Sequence, residues 1–289
     1  MTSAPSPRAP IYLMHGMWCT GDTLQGLAEP LRAAGFRVEA PTLPDHRVDL
    51  DRDGRRRLGR TSLLDYVDFH LEQLAQLPPG PPPILIGHSM GGLLAQIVAS
   101  RVPVSAVGLL APAAPAGFNL IQPTSTVATF HVLAKYGFWR RTQKPPRWFA
   151  QFGLLHRMGR KQAREEYTKL VWESGRAYSE IVFWFWDRHR ASSVDPRHVM
   201  APMLVLSAEQ DRILPPRVIE RIARFYPQAI YEELPTLGHM MFAEPGGEVV
   251  AARVLQWLES LSLYEPSPRD ELELQPQLAP PHPVPGLAA

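Results

Sequence analysis

The chain has 289 residues, of which 45% are hydrophobic and 20% charged, so it can bury a sizeable core as one large domain or two small ones. Its net charge of +2 gives no indication of nucleic-acid binding, and a single cysteine, Cys19, excludes an internal disulfide and a cysteine-based zinc site. No run approaches the roughly 18 to 20 apolar residues of a membrane span, and residues 1–10 lack the apolar core of a signal peptide. We therefore expect a cytoplasmic protein with a flexible leader over residues 1–9.

The first part of the chain alternates predicted strands and helices. Residues 11–14 form an apolar run, residues 23–34 place apolar side chains at helical spacing, and residues 36–40 alternate as a strand does. The same alternation continues with a helix from residue 62 to about 77, a strand over 83–86, a helix over 90–99 and a strand over 104–110. Strands that alternate with helices favour a mostly parallel sheet with helices on its faces, which is the α/β class.

A polar, arginine-rich stretch over residues 44–60 interrupts this pattern, and we predict a solvated surface insertion there. Residues 49–54 begin like a calcium-binding loop. Such a loop needs a glutamate at its twelfth position, which here is Arg60. We therefore expect no metal site.

The alternation stops between residues 117 and 194, where aromatic residues are frequent and no convincing strand is visible. This pattern predicts an inserted, mostly helical lid, although the rings are also compatible with an ordinary helical core. Between residues 135 and 164 the segment has nine Lys or Arg residues and no Asp or Glu. A basic, aromatic face is compatible with transient contact to an anionic membrane or lipid surface, with an anionic substrate, or with plain solvation.

Alternation returns after the insertion, with a strand over 203–207, a helix over 217–225, a strand over 229–234 and a helix over 247–261. Residues 10–116 and 195–263 are therefore predicted to form one core, with the lid over 117–194 inserted between them. Residues 264–289 are rich in proline and polar residues and predict a disordered tail.

A serine lies at the junction between one predicted strand and its helix, in the pattern Gly87-x-Ser89-x-Gly91. Small residues on either side allow a strand and a helix to pack closely around a strained turn that exposes the serine oxygen. A serine hydroxyl becomes a useful nucleophile when a base lies beside it. The pattern therefore predicts a nucleophilic Ser89.

The later strands supply the partners that such a serine needs, an imidazole to accept its proton and a carboxylate to orient that imidazole. Asp211 follows the strand over 203–207, and His239 follows the next strand. Because parallel strands end at one edge of the sheet, we expect both side chains to lie near Ser89.

Other acids and histidines are less favoured for these roles. Glu209 is an alternative orienting acid, but the turn at Pro215-Pro216 closes the loop behind Asp211, and Asp195 precedes its strand and so lies at the wrong end of the sheet. The side chain of His88 is expected to point away from the catalytic face. For the histidines in or beside the lid we expect surface or core roles: His131, His156, His189 and His198.

Two backbone N–H groups are needed to stabilise the oxyanion that forms when a serine attacks a carbonyl carbon. Met90 follows the serine at the start of its helix and provides one. The other is assigned to Met17, in the loop that follows the first strand and begins with the turn residue Gly16. The alternative is that His15-Gly16 is only a turn.

Four segments together resemble the α/β-hydrolase superfamily, in its lidded single-domain form: His15-Gly16-Met17-Trp18, Gly87 to Gly92, residues 207–215, and Gly238-His239. The resemblance covers roughly residues 10–262 apart from the lid and implies the α/β-hydrolase fold. The serine at the turn between strand and helix, Ser89, also excludes the dehalogenases and epoxide hydrolases of this fold, which carry aspartate at that position. One departure is Leu43-Pro44-Asp45-His46-Arg47, where relatives often have a Gly-His-Gly pattern.

The resemblance implies a serine hydrolase that cleaves a small-molecule carboxylic ester through an acyl-enzyme and requires no cofactor. The aromatic lid indicates an apolar acyl or alkyl group. Alternatives are a lysophospholipase or monoacylglycerol-type lipase, a thioesterase, a lactonase, a C–C bond hydrolase, and a non-catalytic small-molecule binding protein on the same scaffold. The candidate substrate-pocket residues are Trp18, His88, Trp139, Phe183, Trp184 and Met240.

Overall fold

The computed structural model describes residues 8–118 and 136–263. The predicted tail, residues 1–7 of the predicted leader and residues 119–135 of the predicted lid fall outside these ranges. Two residues of the predicted leader are packed: Arg8 Nη1 donates a hydrogen bond to the carbonyl of Ala34 at 2.8 Å, and Ala9 is buried. These two residues therefore contact the core, and the flexibility of the leader stays a prediction.

A six-stranded parallel sheet forms the centre of the fold, in the order β2-β1-β3-β4-β7-β8. Its strands are β1 (Ile11–Met14), β2 (Val38–Glu39), β3 (Ile84–His88), β4 (Ala106–Leu110), β7 (Met203–Ala208) and β8 (Ala229–Leu234). Every residue of β1, β3, β4 and β7 is buried, because helices cover both faces of the sheet. The predicted α/β class and its parallel sheet are confirmed.

Apart from α2, the core helices follow the strands in the predicted order. They are α1 (Gln25–Ala33), α2 (Arg52–Leu58), α3 (Leu63–Ala75), α4 (Met90–Ala99), α8 (Pro216–Ala223) and α9 (Glu248–Ser260). All ten residues of α4 are buried, which makes it the most enclosed of these helices.

Helix α2 lies within the stretch that the sequence predicted as a solvated loop. The side chain of Asp51 caps this helix by accepting a hydrogen bond from the amide of Gly54 at 2.7 Å. Leu50 and Leu58 are buried and attach it to the core. Two apolar residues among arginines give too weak a periodicity to predict such a helix.

The inserted segment contains α5 (Arg147–Phe149), which continues as a π-helical turn, α6 (Arg160–Lys169) and α7 (Gly175–Val182). It also contains an antiparallel pair of two-residue strands, β5 (Thr142–Gln143) and β6 (Glu173–Ser174), so the prediction that it lacks strands is wrong. Strands this short show no alternation in sequence.

Helix α7 is attached to the core through the start of α3. The buried carboxylate of Glu180 accepts hydrogen bonds from Ser62 Oγ at 2.8 Å and from the amide of Leu63 at 2.7 Å. These donors belong to the first turn of α3, whose amides have no partner within the helix. The inserted segment thus completes the cap of a core helix.

Candidate active site

Three strands of the sheet end close to one another and carry the predicted catalytic side chains. Ser89 directly follows β3, Asp211 follows β7, and His239 follows β8. Ser89 also lies beside the point where the strand order reverses, between β1 and β3. Open α/β sheets bind their ligands at such a point, outside the carboxyl ends of the strands.

The backbone of Ser89 adopts a strained conformation, with φ of 55° and ψ of −121°. A positive φ is sterically costly for any residue with a Cβ, and such strain is characteristic of functional turns. Its carbonyl accepts from the amide of Gly92 at 2.9 Å, and its amide donates to the carbonyl of Leu110 at 3.0 Å. A Cβ on Gly87 would overlap the carbonyl of Gly91, so glycine is required where β3 meets α4.

A continuous chain of hydrogen bonds joins the three side chains. His239 Nε2 lies 3.1 Å from Ser89 Oγ, and His239 Nδ1 lies 2.8 Å from Asp211 Oδ2. A carboxylate oxygen can only accept, so Nδ1 carries the proton and Nε2 is left to accept from the serine. This is the tautomer that a general base for Ser89 requires.

The carboxylate of Asp211 is held in place by its own loop. Asp211 Oδ1 accepts from the amides of Ile213 at 2.7 Å and Leu214 at 2.9 Å, which leaves Oδ2 for the histidine. Glu209 faces elsewhere, because its carboxylate accepts from the amide of Thr236 at 3.0 Å. The geometry therefore favours Asp211 over Glu209 as the acid that orients the histidine.

The loop after β1 passes directly beside the nucleophile. A Cβ on Gly16 would lie 2.8 Å from the Cβ of Ser89, so only glycine allows this approach. Met17 follows Gly16, and Met90 is the first residue of α4, where amides have no acceptor within the helix. The backbone amides of Met17 and Met90 therefore belong to two segments that lie beside the serine, and their oxyanion role stays a prediction.

His15 holds this loop through both of its ring nitrogens. Nδ1–H donates to the carbonyl of Gly16 at 2.9 Å, and Nε2 accepts from the amide of Leu43 at 3.0 Å. Burial lowers the pKa of His15 to about 3, so the ring is neutral, as an accepting nitrogen must be. His15-Gly16 is therefore a fixed part of the site wall and more than a simple turn.

The loop that carries His239 is held by a residue that the sequence analysis missed. The buried carboxylate of Glu244 accepts from the amide of Gly238 at 2.5 Å and from the amide of Met240 at 3.2 Å, the two residues that flank the histidine. Burial raises the pKa of Glu244, and the two amides oppose that shift. Bonds to backbone amides carry no sequence pattern, so a carboxylate five residues after the histidine gave no signal.

The prediction that His88 points away from the catalytic face is wrong. Its ring centroid lies 4.9 Å from that of His239, and its Nε2–H donates to the backbone carbonyl of His239 at 2.8 Å. Burial lowers its pKa well below the usual range, which keeps the ring neutral. His88 and Glu244 thus hold the backbone of His239 from both sides.

The remaining pocket candidates fall into different surroundings. Trp139 and Phe183 line a pocket in the inserted segment, whereas Trp184 is half-buried and donates from Nε1 to the carbonyl of Phe118 at 3.2 Å. Trp18 and Met240 are buried. Of this set, Trp139 and Phe183 share a pocket, and the substrate-pocket role of the others stays a prediction.

A buried ion pair lies beneath the loop after β1. His46 Nε2–H donates to Glu173 Oε2 at 3.1 Å, and its Nδ1–H donates to the carbonyl of Pro44 at 3.0 Å. Tyr66 Oη donates to Glu173 Oε1 at 2.6 Å, and the ring centroid of His15 lies 5.3 Å from that of His46. The departure noted at residues 43–47 thus supplies the histidine that pairs with the inserted segment.

Within the described ranges, no group of three or more His, Cys, Asp or Glu side chains is arranged to hold a metal ion. No helix of these ranges is long and apolar enough to cross a membrane.

The two bonds accepted by Glu244 lead to a prediction about turnover. If His239 is the catalytic base that the sequence predicts, Glu244→Ala removes both acceptors and is expected to lower kcat by about 10- to 100-fold with little change in KM, because small displacements of such a base are costly. Glu244→Gln keeps one acceptor oxygen and is expected to fall between wild type and Glu244→Ala.

Steady-state kinetics on a nitrophenyl ester would measure this effect. The exposed Glu248, in the first turn of α9, gives a matched control, and Glu248→Gln is expected to leave kcat unchanged. A folded Glu244→Ala with wild-type kcat would contradict the prediction.

Comparison with solved structures shows the same fold in three hydrolases. A methylesterase from Arabidopsis is 18% identical, with 87% of this chain and 99% of that chain covered and a TM-score of 0.65. A pyrethroid hydrolase from Sphingobium faniae is 18% identical, with coverages of 89% and 99% and a TM-score of 0.63. A monoacylglycerol lipase from Paleococcus ferrophilus is 23% identical, with coverages of 88% and 97% and a TM-score of 0.61.

These identities establish the fold alone, and no curated protein sequence matches the chain significantly. The sequence profile of the Alpha/beta hydrolase family, by contrast, matches residues 11–252. This range spans the whole sheet and includes the three hydrogen-bonded residues Ser89, Asp211 and His239. The protein therefore belongs to the Alpha/beta hydrolase family.

Proposed function

We propose that the protein is a serine hydrolase that cleaves a carboxylic ester with an apolar acyl or alkyl part through an acyl-enzyme. The observation that carries this proposal is the hydrogen-bonded chain from Ser89 Oγ through His239 to Asp211. Such a chain makes a serine nucleophilic at neutral pH.

The proposed reaction has two halves. His239 Nε2 takes the proton of Ser89 as Oγ attacks the carbonyl carbon, and the amides of Met17 and Met90 stabilise the oxyanion. His239 then gives the proton to the departing alkoxide, which leaves an acyl-serine and an alcohol. In the second half His239 takes a proton from water, hydroxide attacks the acyl group, and Ser89 recovers its proton as the acid departs. Asp211 orients His239 throughout.

The apolar character of the substrate is inferred from what covers the loop after β1. Met17 packs against a small cluster of the inserted segment that contains Phe138 and Tyr178, with Val182 and Phe183 beside them. These side chains provide an apolar wall next to one proposed oxyanion donor. The likeness to a methylesterase and a monoacylglycerol lipase is in line with an ester substrate.

A series of nitrophenyl esters from acetate to palmitate would test the proposal, together with labelling by a fluorophosphonate probe. The wild type is expected to turn over esters and to be labelled, and Ser89→Ala is expected to do neither. Ser100 provides a matched control, because it is the C-cap residue of α4, the helix that begins after Ser89, and its hydroxyl donates to the carbonyl of Ile97. Ser100→Ala is expected to behave as wild type.

Two outcomes would count against the proposal. If the wild type neither hydrolysed any ester nor reacted with the probe, the binding-protein alternative would replace it. If labelling occurred while only thioesters were cleaved, the nucleophile would stand and the bond type would change.

A further inference from the structure

A pocket of about 570 Å³ opens between the inserted segment and the loop before α3. Its volume lies within the range of small-molecule sites. Its wall includes four arginines from four separate stretches of the chain: Arg60, Arg140, Arg176 and Arg188. Arginines from separate stretches give this concave surface a positive charge.

The two carboxylates in the wall are already occupied. Glu180 accepts from the first turn of α3 and from Arg176 Nε at 2.8 Å. Asp187 accepts from the amides of His189 at 2.9 Å and Ala191 at 2.6 Å. These bonds reduce the capacity of both carboxylates to neutralise further arginines.

Three guanidinium groups of the pocket are left for an external partner. Across residues 8–118 and 136–263, Arg60, Arg140 and Arg188 form no ion pair. A guanidinium presents several N–H donors in a plane and binds carboxylate, sulfonate or phosphate groups with two parallel hydrogen bonds. The charge of the pocket therefore favours an anion.

Aromatic rings supply the other part of the wall. Phe183 and Trp186 are stacked, with centroids 5.4 Å apart and an angle of 19° between their planes. Trp186 is 75% exposed and Trp139 is 43% exposed, although tryptophan is a residue that folding usually buries. Exposed rings that line a concavity provide flat surfaces for an apolar ligand.

We infer that this pocket binds a small organic anion that joins a flat apolar body to a carboxylate, sulfonate or phosphate group. The arginines would hold the acidic group, and Trp139, Phe183 and Trp186 would contact the body. A small ligand fits better than a membrane, because the arginines and rings line a concave wall of limited volume. This inference does not rest on the proposed esterase activity.

The pocket and the candidate active site share one element. Phe183 lines the pocket and also packs beside Phe138 and Tyr178, which contact Met17. A ligand stacked on Phe183 would therefore press on the cluster that covers a proposed oxyanion donor. Through this contact, a ligand in the pocket touches the same cluster that packs against Met17.

Binding of 2-naphthoate to the full chain tests the inference, with 2-naphthamide as the neutral partner of the same shape. Tryptophan fluorescence provides the signal, because two of the lining residues are tryptophans, and calorimetry gives the stoichiometry. We expect one naphthoate per chain and at least tenfold weaker binding of naphthamide. The Ser89→Ala variant is expected to bind naphthoate as the wild type does, which separates this test from any test of hydrolysis.

The double variant Arg140→Gln/Arg188→Gln is expected to bind naphthoate about tenfold more weakly, whereas Arg164→Gln, at an exposed arginine of α6 outside the pocket, is expected to bind normally. If the thermal unfolding midpoint of the double variant is lower than that of the wild type, naphthoate binding is measured on the two single variants instead. A loss of threefold or more in the affinity for naphthoate supports the inference, and a smaller loss of affinity overturns it.

Three further results would also overturn it: equal affinity for naphthoate and naphthamide, no binding of naphthoate to the wild type, or a loss of affinity in Arg164→Gln as large as that in the double variant. Vesicles with and without anionic lipid complete the test. Arginine-dependent binding to the anionic vesicles without naphthoate binding would reject the small ligand in favour of a membrane surface.

Discussion

Replacing Asp211 with asparagine is expected to lower kcat on a nitrophenyl ester by about 10⁴-fold while the protein keeps its fold. The carboxylate has two separate tasks, since Oδ1 accepts from the amides of Ile213 and Leu214 and Oδ2 accepts from His239. An asparagine can perform the first task with its single oxygen. Its NH₂ group then faces His239, where a carboxylate oxygen was.

This exchange reverses the tautomer of the histidine. Facing a donor, His239 Nδ1 has to accept, so the ring proton moves to Nε2, 3.1 Å from Ser89 Oγ. A protonated Nε2 cannot take the proton of Ser89, although all three side chains remain in place. Steady-state kinetics with a thermal unfolding curve would separate this chemical loss from a loss of structure.

Glu209→Gln is the matched control, because Glu209 lies two residues from Asp211 and was the competing acid. Its carboxylate accepts from the amide of Thr236, and a glutamine oxygen can accept the same bond. Turnover of this variant is expected to stay within about twofold of wild type. The opposite result, an active Asp211→Asn and an inactive Glu209→Gln, would assign the orienting acid to Glu209.

The catalytic candidates were accessible from sequence because each is tied to the end of a strand. Ser89, Asp211 and His239 each lie within a few residues of the end of a strand, and parallel strands share one carboxyl edge. The order of the strands in the chain was therefore enough to expect the three side chains near one another. Their hydrogen-bond geometry required the structure.

Residues that support the site left no comparable pattern. Glu244 acts on backbone amides, which every residue has, and His46 pairs with a partner 127 residues away. The strands β5 and β6 have two residues each and show no period. Sequence periodicity reports how an element faces the core, whereas these contacts depend on how two distant loops meet.

The buried pair of His46 and Glu173 gives the largest expected effect on stability. Glu173→Gln is expected to lower the free energy of unfolding by about 3–5 kcal/mol, because it breaks a buried ion pair and leaves His46 either charged without a partner or forced to give up its proton. Tyr66 also loses a charged acceptor. Urea unfolding followed by circular dichroism would measure the loss.

Glu166→Gln serves as the control, since Glu166 pairs with a largely exposed Lys169 on the surface of α6. Such pairs contribute less than about 1 kcal/mol. The double variant His46→Gln/Glu173→Gln is expected to lose less than the two single variants combined, because no charge is then left buried. Strict additivity would mean that the two residues act independently.

The pH dependence of the loss identifies the charges involved. Burial by itself lowers the pKa of His46, but the carboxylate of Glu173 outweighs it and the pKa is raised from 6.5. The contribution of His46 to stability is therefore complete below pH 6.5 and is lost as the pH rises through the folded-state pKa of His46. Burial by itself raises the pKa of Glu173, but the charge of His46 and the hydrogen bonds to the carboxylate outweigh it, and the pKa is lowered from 4.5. The contribution of Glu173 to stability is therefore complete above pH 4.5 and is lost as the pH falls through the folded-state value.

The difference in unfolding free energy between wild type and Glu173→Gln is therefore expected to be largest between pH 4.5 and 6.5 and to shrink on both sides. Glu166→Gln should show no such maximum. A flat difference from acid to alkaline pH would mean that His46 and Glu173 meet as neutral groups. In that case the link between the loop after β2 and the inserted segment would depend on shape and hydrogen bonds, and Glu173→Gln would retain most of the stability of the wild type.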